Sequence, residues 1–208
     1  MKVIAIDASR GHYALNRTLL AVIESAEEAG AEVTYLRLSD FTIMDCLNCR
    51  LCAMGEGCKM EDDFADLLEY IAQSNGIIIS APDDKSRSSQ ALRTLLGRLS
   101  TFFEGNRNHQ LPLPGFGATN EYMSKTARDT KRAVVITTAA SNGGIGAYFM
   151  PSAVHGYQIK RLRRSLAACN INAVGSLEVG RSNLRKDKLC FDSQNRAESM
   201  GRLIAGKL

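Results

Sequence analysis

The chain has 208 residues, of which 45% are hydrophobic and 23% are charged, and its formal net charge is +4. This length is enough for one compact core, so we expect a single domain spanning 1–208. A mildly basic balance, 6% aromatic residues and no tryptophan give the chain little with which to bind nucleic acid, and that partner class is excluded.

The amino-terminal half alternates short apolar runs with helical patterns. Residues 2–6 predict a buried strand, and because this run is too short for a secretory signal or a membrane span, we expect a cytoplasmic protein with no membrane partner. A helix is predicted over 14–26, with Gly30 as its carboxyl-terminal cap. The remaining predicted elements of this half are strands over 32–38 and 76–80, a helix after the acids 61–63 and a helix over 89–103.

The second half repeats the alternation after a long polar connection. The stretch at about 104–132 is rich in Gly, Pro, Asn and charge, and we expect an insertion that serves as a lid or an oligomer contact. Strands over 133–138 and 173–179 and helices over 154–169 and 191–204 follow. The pattern predicts an α/β fold with a five-stranded, doubly wound parallel sheet and helices on both faces, which fits a flavodoxin-like sheet better than an eight-unit barrel.

In an open parallel sheet, ligands bind beyond the carboxyl ends of the strands, at the point where the strand order reverses. The loops expected there are 8–16, 81–88 and 138–146. All three are polar, small or Gly-rich, as a phosphate group and a flat ring require. The sequence therefore predicts a ligand site built from these loops.

Four of the six cysteines fall within thirteen residues, in an irregular loop at about 44–60. Cys46, Cys49, Cys52 and Cys58 have the spacing C-x2-C-x2-C-x5-C, which brings four thiols within reach of one centre. An iron–sulfur cluster suits two consecutive C-x2-C steps, whereas structural zinc sites usually pair two such steps across a longer insert. Zinc, thiol redox chemistry and, less readily in a reducing compartment, disulfides stay open as alternatives. Cys169 is predicted to be a buried hydrophobic residue.

With these loops and cysteines, the chain resembles the NAD(P)H-dependent FMN reductases of flavodoxin fold, and specifically their iron–sulfur flavoprotein branch. The resemblance implies FMN beside a [4Fe-4S] cluster on the four cysteines, in an electron-transfer protein that forms a homo-oligomer, either a dimer or a tetramer. NAD(P)H or a redox partner protein is the expected partner. The resemblance is carried by 3–9, by 46–58 with the acids 61–63, and by 76–82 with Ser89, Leu92 and Arg98.

The resemblance also implies that FMN is held by the three loops. Backbone amides at a helix N-terminus bind phosphate whatever the side chains, with Ser9 and Arg10 beside them and Asn16 or Thr18 as the helix cap. The complete set of expected FMN-binding residues is Ser9, Arg10, Asn16, Thr18, Pro82, Asp83, Asp84, Lys85, Ser86, Ala139, Ser141, Asn142, Gly143 and Gly144.

The second loop departs from the family, because two acids and a lysine follow Pro82 where the family has an apolar, aromatic segment. Two alternative functions therefore stay open. One is an NAD(P)H-dependent flavin or quinone reductase without a cluster, and the other is a non-enzymatic flavodoxin-like binding module that has lost FMN. The basic run 160–164, on a predicted helix, is interpreted as a solvated face or as a guide for an acidic electron carrier.

Overall fold

The computed structural model describes residues 1–54, 57–82, 87–108, 130–138, 157–179, 184–185, 188–189 and 191–206. A five-stranded, entirely parallel sheet has the strand order β2-β1-β3-β4-β5. Its strands are β1 (Lys2–Asp7), β2 (Glu32–Arg37), β3 (Gly76–Ala81), β4 (Lys131–Thr138) and β5 (Ile171–Val179). The helices are α1 (Tyr13–Glu28), α2 (Phe64–Gln73), α3 (Arg87–Asn108), α4 (Tyr157–Ala168) and α5 (Phe191–Ile204). Two short strands, β6 (Leu184–Arg185) and β7 (Lys188–Leu189), pair in antiparallel fashion.

The strand order is that of a flavodoxin-like fold, and the predicted doubly wound α/β class is confirmed. Two apolar cores lie on opposite faces of the sheet. One is shared with α1 and α5, and the other is shared with α2, α3 and α4. Every residue of β3 is buried, because this central strand is covered by helices on both faces.

Helix α1 ends as the sequence predicts, at a glycine. Gly30 has a φ of +88°, and its N–H donates to the carbonyl oxygen of Glu27 at 2.8 Å. The N–H of Ala31 donates to the carbonyl oxygen of Ala26 at 3.0 Å. These two bonds form a Schellman motif, which needs a left-handed residue after the helix.

Several element boundaries differ from the sequence-based expectation. Helix α3 is described to Asn108, five residues beyond its predicted end, and 109–129 lie outside the described residues. Strand β4 begins at Lys131 rather than at residue 133. The buried Lys131 ammonium donates to the carbonyl oxygens of Ala72, at 3.2 Å, and Ser74. A lysine is typical of a loop, and hydrogen bonds to these carbonyls at the end of α2 help to offset the cost of burying its charge.

The other boundaries shift by a few residues. Helix α4 is described from Tyr157, and 154–156 lie outside the described residues. Strand β5 starts at Ile171, two residues before the predicted start. Within the described ranges, each helix is too short or too polar to cross a lipid bilayer.

Candidate functional site

The loop after β1 forms a left-handed turn at the carboxyl edge of the sheet. Arg10 has a φ of +48° and Gly11 a φ of +84°, and α1 begins two residues later. His12 is the N-cap residue of α1, and no side-chain hydrogen bond caps the helix. The first turn of α1 therefore carries the partial positive charge and the N–H groups that attract a phosphate.

Asp7 is the centre of the hydrogen bonds around this loop. Its carboxylate is buried and accepts the backbone N–H of Ser9 at 2.7 Å and the hydroxyl of Tyr35 at 2.5 Å. Burial, followed by the hydrogen bond and the negative charge of Asp7, raises the pKa of Tyr35. The carboxylate therefore fixes the start of the loop against β2, although its charge opposes a phosphate placed directly beside it.

The predicted capping role of Asn16 and Thr18 is wrong. Helix α1 starts at Tyr13, so both residues lie inside the helix rather than at its first position. Thr18 is fully buried and its hydroxyl donates to the carbonyl oxygen of Ala14 at 2.8 Å. Asn16 donates from Nδ2 to Asp7 at 3.5 Å. The hydroxyl of Thr18 is thus bound within the helix, and Asn16 supports Asp7.

Three buried hydroxyls at the carboxyl ends of the central strands lack a hydrogen-bond partner among the described residues. They are Ser9 Oγ after β1, Ser80 Oγ in β3 and Thr137 Oγ1 in β4. A buried polar atom without a partner costs about 1–3 kcal/mol, so such a set usually marks a place where a ligand or water completes the bonding. The orphaned hydroxyls coincide with the edge at which the sequence predicts a ligand.

Of the remaining residues predicted to bind FMN, the structure describes Pro82. Pro82 ends the described part of the loop after β3 and lines a cavity between α3 and α4. A smaller cavity of about 190 Å³ borders the loop after β1, and Asp7, Arg10 and Phe41 are among its lining residues. The other residues, Asp83, Asp84, Lys85, Ser86, Ala139, Ser141, Asn142, Gly143 and Gly144, lie outside the described residues.

The cysteine loop is anchored by the acids that follow it. Asp63 accepts the backbone N–H of Thr42 at 2.6 Å, and Asp62 accepts those of Met44 at 2.8 Å and Phe64 at 3.2 Å. These acids were predicted to favour the start of a helix, and α2 begins at Phe64. Their carboxylates also bind the backbone just before the first cysteine, which fixes both ends of the loop at the start of α2.

Arg98, on α3, joins the loop to the core. Its guanidinium forms an ion pair with Asp62, and both side chains are only 2% exposed. The same group donates to the carbonyl oxygen of Met44 at 3.2 Å and to Cys58 Sγ at 3.1 Å, and it lies 4.0 Å from the ring centroid of Phe64. An arginine presents several donors in a planar fork and can bind all these groups at once.

The electrostatics keep this ion pair charged. Burial opposes the charge of Asp62, but hydrogen bonds from Arg98 and from the amides of Met44 and Phe64 outweigh it, and the pKa of Asp62 lies below its ordinary value. Burial likewise opposes the charge of Arg98, but its bonds to Asp62 and Cys58 raise its pKa. The network therefore places a permanent positive charge against the sulfur of Cys58.

The four cysteines differ in exposure. Cys46 and Cys49 are exposed, while Cys52 and Cys58 are half-buried and pack against the core shared with α3. Asn48 and Arg50, on either side of Cys49, have φ values of +52° and +60°, which turn the chain sharply between thiols. Among the residues that the structure describes, no three His, Cys, Asp or Glu side chains stand together as a metal-holding group.

Two cysteines lie outside the run. Cys169, directly after α4, is 1% exposed and its Sγ donates to the carbonyl oxygen of Leu96 at 3.6 Å. Its prediction as a buried hydrophobic residue is confirmed. Cys190 lies outside the described residues.

The sequence did not predict the roles of Asp7, Tyr35 and Asp62, and it assigned no structural role to Arg98. The role of Asp7 was predictable, because a carboxylate at the end of a buried strand needs hydrogen-bond donors. No comparable signal exists for Arg98, which is 40 residues from Cys58 and 36 from Asp62 in the chain. Contacts at such separations are set by the packing of α3 against the loop.

The fold and the site define a flavodoxin-like α/β protein with a ligand edge and an adjoining cysteine loop. The model of the NADPH-dependent FMN reductase family matches residues 1–150, which is well over half of the chain. The protein belongs to this family, as the sequence resemblance predicted.

Curated relatives match about half of the chain. The chain is 33% identical over 111 residues to an iron-sulfur flavoprotein of Methanocaldococcus jannaschii, covering 51% of this chain and 54% of the relative. It is 26% identical over 106 residues to an iron-sulfur flavoprotein of Archaeoglobus fulgidus, covering 51% and 52%. The matches thus span about half the length of these relatives.

Similarity to solved structures extends over nearly the whole chain. A flavone reductase superposes with a TM-score of 0.67 at 18% identity, covering 99% of this chain and 62% of that protein. An NAD(P)H:quinone oxidoreductase from Methanothermobacter marburgensis superposes with a TM-score of 0.60 at 15% identity, covering 97% and 98%. At these identities the likeness establishes the fold.

Proposed function

We propose that this protein is an electron-transfer flavoprotein that binds FMN at the carboxyl edge of the sheet and a [4Fe-4S] cluster on Cys46, Cys49, Cys52 and Cys58. The cysteine run carries the proposal, because four thiols in thirteen residues follow β2 and adjoin that edge in a chain of the FMN reductase family. When bound, FMN would accept a hydride from NAD(P)H or exchange electrons with a partner protein, and the cluster would transfer single electrons.

The residues present fit the phosphate of FMN. The uncapped start of α1, the left-handed turn at Arg10 and Gly11, and the orphaned hydroxyls of Ser9 and Ser80 supply donors at one edge of the sheet. The side chain of Arg10 adds a positive charge that offsets Asp7. These groups would bind and orient the phosphate without taking part in proton transfer.

The donor set also fits an iron–sulfur cluster in its chemistry and number. Thiolates are the usual ligands of such clusters, and the turns at Asn48 and Arg50 let short spacers separate successive thiols. Arg98 would stabilise the thiolate of Cys58 with a charge-assisted hydrogen bond, which lowers the electron density on sulfur and raises the reduction potential of a ligated centre.

Anaerobic purification followed by iron, sulfide and flavin analysis tests the proposal. We expect one FMN, four iron and four sulfide per chain after reconstitution, values that follow from the proposed cofactors. Cys49→Ser should lower iron and sulfide while FMN stays bound. Cys169→Ser is the matched control, because this buried cysteine lies outside the run and its serine can keep the bond to Leu96.

The alternatives give different results in the same experiment. FMN without iron in the reconstituted protein would instead support a cluster-free flavin or quinone reductase. Zinc without sulfide would identify a zinc site. Absence of both FMN and iron would overturn the proposal and support a binding module that has lost its flavin.

A further inference from the structure

A larger cavity lies away from the phosphate loop, between α3 and α4. Its volume is about 380 Å³, within the range of small-molecule sites. Leu92, Leu96 and Leu162 supply apolar walls, and the cavity reaches the carboxyl ends of β3 and β4. Among the described lining residues it has none in common with the smaller cavity beside Arg10, so we treat it as a separate candidate site.

The polar part of the lining is strongly cationic. Arg93 on α3 and Arg161 and Arg164 on α4 line the cavity, and the described lining residues include no acid. Arg161 and Arg164 are three residues apart, which places them on the same side of the helix. Arg163 instead donates to Ser176 Oγ on β5 at 3.3 Å. The basic run 160–164 is therefore divided, and two of its arginines converge on the cavity.

Thr137 supplies an independent sign of a ligand. This residue lines the cavity, is 2% exposed, and its Oγ1 lacks a hydrogen-bond partner within the described part of the chain. Alternation along β4 puts Thr137 on the face of Ala133 and Val135, which pack into the core with α3 and α4. Ser80 in β3 lies on the other face of the sheet, which is the face that also carries Ile78. Thr137 thus belongs to this cavity rather than to the phosphate loop.

We propose that this cavity binds a small organic phosphate with an apolar ring or chain. Guanidinium groups bind phosphate oxygens in paired, charge-assisted hydrogen bonds, and those of Arg161 and Arg164 match a dianion. Arg93 donates to the side-chain oxygen of Gln90 at 3.0 Å and adds a positive charge beside them. The hydroxyl of Thr137 gains a partner, and the leucine side chains pack against the apolar part of the ligand. Of the described lining residues, only Ala81 and Pro82 belong to the predicted FMN loops, and the proposal does not depend on FMN binding.

Isothermal titration of the full chain with phenyl phosphate tests the site. We expect phenyl phosphate to bind with one site per chain, and phenol and inorganic phosphate each to bind at least tenfold more weakly, because each lacks one half of the recognised chemistry. Saturating FMN should leave the affinity for phenyl phosphate unchanged. Displacement by FMN, or equal binding of phenol, would overturn the proposal.

Matched variants locate the binding. Arg161→Ala and Arg164→Ala should each weaken phenyl phosphate binding by about tenfold, as the loss of a charged hydrogen bond predicts. Arg163→Ala, on the same helix turn but directed at β5, should leave binding within twofold. Equal losses in all three variants would show a diffuse charge effect and contradict the site.

Thr137→Val should raise the stability of the unliganded protein and lower its affinity for phenyl phosphate. The substitution removes a buried hydroxyl that has no described partner while keeping the shape of the side chain, so the melting temperature of the unliganded protein should rise. The affinity for phenyl phosphate should fall severalfold. An unchanged affinity would remove Thr137 from the site and overturn its part in the proposal.

Discussion

Arg98 is the residue on which the cysteine loop depends most. Its guanidinium binds Asp62, the carbonyl oxygen of Met44 and the sulfur of Cys58, and it stacks over Phe64. Removing one member of a buried ion pair leaves the other charge without compensation, which costs far more than the pair contributes. The loop and the first turn of α2 should therefore lose their order together.

We predict that Arg98→Met lowers the free energy of unfolding by about 3–5 kcal/mol in urea titrations of the cofactor-free protein. Arg98→Lys should lower the free energy of unfolding by less, since lysine keeps the positive charge but not the planar guanidinium group. Arg161→Met is the control, because this side chain is exposed and surface substitutions usually change stability by less than about 0.5 kcal/mol. Equal losses at Arg98 and Arg161 would contradict the role of the network.

The lowered pKa of Asp62 predicts a dependence of stability on pH. Because the folded-state pKa lies below the unfolded one, the contribution of Asp62 is fully present above its ordinary pKa and is lost as pH falls through the folded-state value. Asp62→Asn should be less stable than the parent at pH 7. The difference should narrow below about pH 4, the ordinary range of aspartate. A difference that stayed constant from pH 7 to pH 3 would contradict this.

At the scale of elements, α1 and α5 approach more closely than ordinary helices do. A Cβ atom at Gly201 would lie 2.6 Å from the carbonyl oxygen of Val22 and 2.8 Å from the backbone nitrogen of Ala26. The hydroxyl of Ser25 also donates to the carbonyl oxygen of Glu198 across this contact, at 2.8 Å. Backbone atoms cannot move aside as side chains can, so the contact requires glycine.

We predict that Gly201→Ala destabilises the protein by about 1–3 kcal/mol in thermal or urea unfolding. Gly97→Ala, within α3, is the matched control, because its added Cβ atom would meet no other atom within 4 Å. This control should be neutral or more stable by about 0.5–1 kcal/mol, since alanine favours a helix. Loss of stability in both variants would show that helix composition, not the approach of α1 and α5, decides the result.

At the scale of the whole molecule, the ligand edge has buried polar groups that the described fold leaves unsatisfied. Ser80 lies in β3 and Ser9 follows the neighbouring strand β1, and neither hydroxyl has a partner among the described residues. A ligand that satisfied them would bind only the folded state, because the edge exists only when β1 and β3 pair. Binding should then stabilise the whole domain.

We predict that FMN at a hundred times its dissociation constant raises the free energy of unfolding by about 2.7 kcal/mol. Riboflavin, which lacks the phosphate, should have a much smaller effect at the same concentration. Differential scanning calorimetry of the cofactor-free protein measures both. Equal stabilisation by FMN and riboflavin would show that the turn at Arg10 and Gly11 does not bind the phosphate.

The sequence predicted the five strands, their parallel arrangement and the class of fold. Short β-branched runs such as the three isoleucines 77–79 are typical of strands covered on both faces. The end of α1 at Gly30 was also predicted, because a left-handed cap is a local requirement. Such features depend on neighbours in the chain, and the sequence displays them directly.

The sequence by itself also determined the spacing of the four cysteines and the family to which the chain belongs. Only the tertiary structure decided that Arg98 binds Cys58 and Asp62, that Asn16 and Thr18 do not cap α1, and that Lys131 is buried at the end of α2. Charged and hydroxyl side chains look the same in a sequence whether they are solvated or paired. Their partners lie tens of residues away, and only the packing of the helices on the sheet brings them together.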